Sequence, residues 1–132
     1  MTKAKRTNEE RIVARIARVR ASYEKARSDK SKSADYKYLE SVLAAHDYFD
    51  ERNLLDSLTE IAPCALMTSV RSGQHPIRTI IDSSCADVDP RTKSRWTRAL
   101  QFAILRSIAP DDLIRFLRAT MALRDALTWR AR

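Results

Sequence analysis

Glycine occurs once in the 132 residues, as Gly73, and proline four times. Hairpins and bulged sheets draw heavily on such punctuation, so its scarcity leaves little room for a strand-based architecture. The two cysteines, Cys64 and Cys85, are far apart in sequence, with no CxxC spacing and no neighbouring histidine pair. A zinc site lacks ligands, and both thiols are expected to be buried. Neither an N-terminal apolar h-region nor a run of about 18 apolar residues is present, so neither a standard signal peptide nor a membrane span is expected and a cytoplasmic location is the default. Gly-rich phosphate loops, HExxH, GxSxG and close carboxylate pairs in a strand-helix setting are also missing, which sets the expectation of a non-enzyme with no cofactor and no small-molecule substrate.

What the chain has in plenty is Ala, Leu, Arg, Lys and Glu, the residues of helices. With 44% hydrophobic residues it can bury a modest core. The expected fold is therefore all-α, a small multi-helix bundle of about five or six helices. Residues 1–7 form a flexible basic arm and 8–132 a single helical domain, divided near Gly73 into sections 8–72 and 73–132. Lys and Arg number 25 against 17 acids, a formal net charge of +8. Such a surface attracts polyanions, either phosphate backbones or anionic lipid, unless the charge serves solubility alone. Lys3, Lys5 and Arg6 give the arm its charge, and the arm reads either as a phosphate contact or as an ordinary frayed terminus.

Asn8 is a plausible N-cap, followed by Glu9 and Glu10 and by an apolar seam of Ile12, Ile16, Val19, Tyr23 and Ala26. Arg11, Arg15, Arg18, Arg20, Lys25 and Arg27 occupy the other faces, so the helix either packs in a bundle or pairs with another helix. After a polar linker, Ser28 to Ser33, a second helix carries Leu39, Val42, Leu43, His46 and Phe49 on one face, with His46 expected in the core. Leu54, Leu55, Leu58 and Ile61 make a third stripe, which Pro63 should terminate or kink. A loop or short helix follows through Leu66, Met67 and Val70, and His75 before Pro76 reads as a helix entry.

Ile77, Ile80 and Ile81 then define a short helix that ends near Ser84 and Cys85, with Ala86-Asp87-Val88 as a turn. Asp89-Pro90 supplies a cap and a first-turn proline for a longer helix. At 77–98, and above all in Val88-Asp89-Pro90-Arg91-Thr92-Lys93-Ser94-Arg95-Trp96, the chain resembles helix-turn-helix DNA-binding proteins. It departs from their pattern at Asp87, where glycine is usual, and at Lys93, where an apolar residue is usual. The resemblance implies that Val88 and Trp96 anchor the second helix while Arg91, Thr92, Ser94, Arg95 and Arg98 include the groove-facing positions. The alternative is a capped core helix whose Trp96, Leu100, Ala103 and Ile104 pack inward and whose arginines are solvated. Asp82, Asp87 and Asp89 cluster locally, but capping explains Asp89 more simply than a Mg²⁺ site does.

Pro110, Asp111 and Asp112 open a last helix with Leu113, Ile114, Leu117 and Met121 as its stripe, together with Arg115, Arg118, Arg124, Arg130, Arg132 and a terminal Trp129. The leading expectation is a nucleic-acid-binding regulator or accessory factor. Its ligand would be double-stranded DNA in the first place, contacted through the 90–106 helix and the arm. The alternative is a helical interaction or oligomerisation module, with a homodimer as the partner, using the seam of the first helix or apolar residues of the last.

Overall fold

The computed structural model describes residues 7–29, 33–85 and 87–119. Lys3, Lys5, Arg6, Ala86, Met121, Arg124, Trp129, Arg130 and Arg132 lie outside the described residues. Among the described residues the fold is an all-α bundle without strands: α1 (Asn8–Ser28), α2 (Ser33–Glu51), α3 (Leu55–Ala65), α4 (Pro76–Ser84), α5 (Pro90–Leu105) and α6 (110–119).

The cap of α1 is Thr7, one residue earlier than the sequence suggests. Its hydroxyl accepts from the Glu10 amide at 3.1 Å while its own amide donates to Glu10 Oε1 at 2.8 Å. Thr7 and Glu10 have the spacing of a reciprocal capping box, whereas Asn8 would find Arg11 at the third position and gain no return bond. The seam behind the cap is buried, with Ile12, Ile16, Val19 and Tyr23 facing Tyr38, Leu39, Val42, Leu43 and Phe49 of α2. The two helices run antiparallel, so Tyr23 meets Tyr38 at one end and Arg15 meets Tyr48 at the other. Leu58 and Ala62 of α3, Ile77, Ile80 and Ile81 of α4, Leu100 and Ala103 of α5, and Leu113 and Leu117 of α6 complete one core. Residues from both sides of Gly73 therefore share a single interior. His46 is buried, as its place in the α2 stripe requires, and its ring stacks on that of His75 with centroids 5.9 Å apart.

Of the α3 expectations, termination at Pro63 and a buried Cys64 are not observed. The helix passes through Pro63 and ends at Ala65. Pro63 withholds a hydrogen bond only from the Thr59 carbonyl, and both residues are exposed, so solvent can satisfy it. Cys64 is exposed, not buried. At about 100° per residue it stands about 200° around the helix from the buried Ala62, which turns it away from the core.

Three helix ends use left-handed residues other than glycine. Asn53, Met67 and Ser107, with φ of 56°, 51° and 55°, take the left-handed conformation after α2, α3 and α5. In each case the following amide turns back to a helix carbonyl, Leu54 to Phe49, Thr68 to Ala62 and Ile108 to Ala103. These three helices stop at left-handed residues that are not glycine, whereas α1 and α4 end at extended residues, and Gly73, at φ 75°, lies in the turn closed by the Gln74 amide on the Arg71 carbonyl.

Candidate nucleic-acid interface

α4 is set by its entry. His75 Nδ1 accepts from the Ile77 amide at 3.0 Å, and Pro76 takes the first position, where no amide is needed. At the far end of α4, Tyr38 inserts from α2, its hydroxyl 2.6 Å from Ser84 Oγ and 3.4 Å from Cys85 Sγ. The start of α5 is fixed by Asp89, whose Oδ1 accepts from the Thr92 amide at 2.9 Å and whose Oδ2 accepts from Thr92 Oγ1 at 3.1 Å. These bonds hold the Asp89 carboxyl below its ordinary range. Trp96 packs against Tyr38 with centroids 5.5 Å apart, and Val88 and Trp96 are half-buried against the core.

The two departures from the helix-turn-helix pattern have local explanations. Asp87 does not adopt a positive φ, so its backbone has no need of glycine. Its carboxylate instead accepts from the Tyr23 hydroxyl at 2.5 Å and pairs with Arg27 at 3.3 Å, tying the turn to α1. The Tyr23 bond, with Arg27 and Lys93 adding to it, depresses the Asp87 pKa. Lys93 faces inward, its side chain only 12% exposed, and its Nζ lies 3.1 Å from Asp82 Oδ1. Arg78 Nε grips the same carboxylate at 3.1 and 3.2 Å and donates through a terminal nitrogen to Ser94 Oγ at 3.1 Å. A lysine thus occupies an inward position because Asp82, across the junction, balances it. Asp82 is committed to these two cations, and among the described residues no group of three His, Cys, Asp or Glu is placed to hold a metal ion.

With Trp96 and Lys93 turned inward, Arg91, Arg95 and Arg98 are left exposed on the opposite side of α5. Their spacing of four and then three residues keeps them in one row. Together with Pro90 and Ser94 they line an open depression of about 420 Å³. None of the three forms an ion pair with a described residue. Thr92 does not join the row, because its hydroxyl is spent on the Asp89 cap. Ser94 lies at the row's edge with its oxygen already accepting from Arg78.

Of the α1 seam, Ile12, Ile16, Val19 and Tyr23 are buried in the chain's own core and Ala26 is partly buried against it. Exposed apolar groups do occur at the other end of α5, at Phe102 and Leu105, with Phe116 of α6 against Phe102 at 5.8 Å. Sequence reading missed both links that position the interface. The Arg78–Asp82 spacing of four is a detectable helix pair. The Tyr23–Asp87 bond joins residues 64 apart and leaves no local signal. No protein-family model matches the chain, and no significant match appears among curated proteins or solved structures.

Proposed function

We propose that the chain binds nucleic acid, duplex DNA in the first place, through the row of Arg91, Arg95 and Arg98, and acts as a regulator or accessory factor. The supporting observation is that these three guanidinium groups are exposed, aligned and unpaired by described carboxylates. Unpaired arginines on one helix face give up little on meeting a phosphate, and each contact releases counterions. The hydroxyls of Thr92 and Ser94 are engaged within the protein, so phosphate contact outweighs base reading, with guanine the base that arginine can still grip. Read as a helix-turn-helix, α4 would lie across the backbone and α5 would enter the major groove. No described helix is long and apolar enough to cross a membrane, and a cytoplasmic site of action belongs to the same proposal.

The test is fluorescence anisotropy of a labelled mixed-sequence duplex across a salt series, for the wild type and for R91A/R95A/R98A. The variant should remain folded, bind weakly, and show a log–log salt slope smaller by about three, one per lost phosphate contact. Unchanged affinity and slope in a folded variant would overturn the proposal. A second reading, a self-associating helical module, is supported by Leu105, 81% exposed beside Phe102. Sedimentation of L105D against the wild type decides it, since a monomeric wild type removes that reading.

A further inference from the structure

The α1–α2 pair carries a second basic cluster at the end away from α5. Asp87 and Trp96 reach the pair at Tyr23 and Tyr38. Arg15 lies eight residues before Tyr23, which at 1.5 Å per residue places it about 12 Å further along α1. There the guanidinium carbons of Arg15 and Arg52 stand 4.1 and 4.0 Å from the centroid of the same Tyr48 ring. Arg18, exposed and nearly one turn from Arg15 on the side toward Tyr23, adds a third cation. Burial lowers the Arg15 pKa, and the Arg18 and Arg52 charges lower it further against an opposing contribution from Tyr48. Among the described residues, the acid paired with the group is Glu51, 4.0 Å from Arg52 and itself 75% exposed.

One guanidinium on a tyrosine ring is ordinary packing, and a cation just past the end of α2 suits the helix dipole. Those terms account for Arg52 alone. Two guanidiniums drawn to one ring beside a third are held against mutual repulsion, and a bound anion would relieve it. Contact with the ring also limits the rotation of each fork, so less ordering is required when it closes on oxygen atoms.

We propose that Arg15 and Arg52, ordered against Tyr48, form with the neighbouring Arg18 a second anion site whose ligand is a phosphate group. Planar guanidinium forks match phosphate oxygens in pairs, which a point-charge lysine cluster would not do. The phosphate can belong to a free polyphosphate or to a nucleic-acid backbone, and the site does not depend on the role of α5.

Calorimetric titration of the full chain with inorganic tripolyphosphate at low salt tests this. R15Q/R52Q should weaken binding by about tenfold or more, the scale of one lost charge-assisted bond. R18Q, at an exposed position, should weaken it by a smaller factor without disturbing the fold, and R15K/R52K should fall between because charge survives without the fork. R91A/R95A/R98A should keep a site of wild-type affinity. Circular dichroism and thermal midpoints accompany each variant. The proposal is overturned if the wild type shows no saturable site, if R18Q and R15Q/R52Q both bind like the wild type, or if the loss follows the α5 variant instead. A duplex titration of R15Q/R52Q then separates the sources. A salt slope smaller by about two assigns the site to a polynucleotide backbone, and an unchanged slope assigns it to free polyphosphate.

Discussion

The α1–α2 pair and the α4–α5 junction are both helix contacts in one small core, yet they are held by different means. Between α1 and α2 the contact is an aliphatic and aromatic seam, repeated with the helix period. Between α4 and α5 it combines apolar packing with capping bonds and the Arg78–Asp82–Lys93 group. The seam supplies bulk, non-directional stabilisation. The polar links supply direction, because a charge buried at 12 to 18% exposure tolerates few positions of its partner. α5, the helix that carries the arginine row, is therefore oriented by electrostatics as much as by packing.

Breaking the seam should have the largest effect. I16A removes three buried carbons and should cost about 3 to 4 kcal/mol in urea denaturation, leaving the salt dependence of any nucleic-acid binding unchanged. D82N should cost about 2 to 3 kcal/mol, since Lys93 and Arg78 would then face each other without an anion. Hydrogen exchange should quicken in α5 before it quickens in α1, and D82L/K93M should recover part of the loss; uniform exchange along the chain would erase the distinction between the two contacts. Y38F, which keeps the seam but drops the links to Ser84 and Cys85, should cost about 1 kcal/mol.

A pH series tests the cap at the entrance to α4. Burial, with His46 adding to it, lowers the His75 pKa, and its capping nitrogen must stay unprotonated to accept the Ile77 amide. The folded chain therefore binds fewer protons there than the unfolded chain, so stability is intact above the ordinary imidazole value of 6.5 and declines as pH falls below it. H75N preserves an acceptor and removes the titration, so urea midpoints at pH 7.5 and 5.5 should differ less than in the wild type; equal differences would count against the cap. The smallest effect is expected at Met67. A left-handed residue with a side chain carries about 1 to 2 kcal/mol of strain, and glycine returns about 0.5 to 1 of that as backbone entropy. M67G should therefore stabilise the chain by about 0.5 to 1 kcal/mol, read as a raised urea midpoint.

Periodicity made the seams legible in the sequence, because Ile12, Ile16, Val19, Leu39, Val42 and Leu43 obey a local rule that needs no knowledge of the partner. His75-Pro76 and Asp89-Pro90 were legible for the same reason, since a cap is satisfied within four residues. The α1 cap reads one place late, at Asn8, because the reciprocal bond to Glu10 that marks Thr7 as the cap shows only in the folded geometry. Asp87 and Lys93 looked like departures from a pattern because their partners, Tyr23 and Asp82, lie on other helices. At the candidate interface the row of Arg91, Arg95 and Arg98 could be written down from spacing, whereas the engagement of Thr92 and Ser94 depends on side-chain geometry. Tyr48 between two arginines had no sequence signature, because Arg15 and Arg52 come together only when α1 and α2 fold back on each other.

The exposure of Cys64 sets a limit on covalent assembly. Cys85 is sealed in the core, so the chain has one reachable thiol and hence a covalent valence of one. Under oxidising conditions it can be joined through sulfur to one further chain, and the products end at linked pairs because no second thiol extends them. The same solitary handle accepts one dye or spin label on α3, which makes stoichiometric labelling of the native protein straightforward.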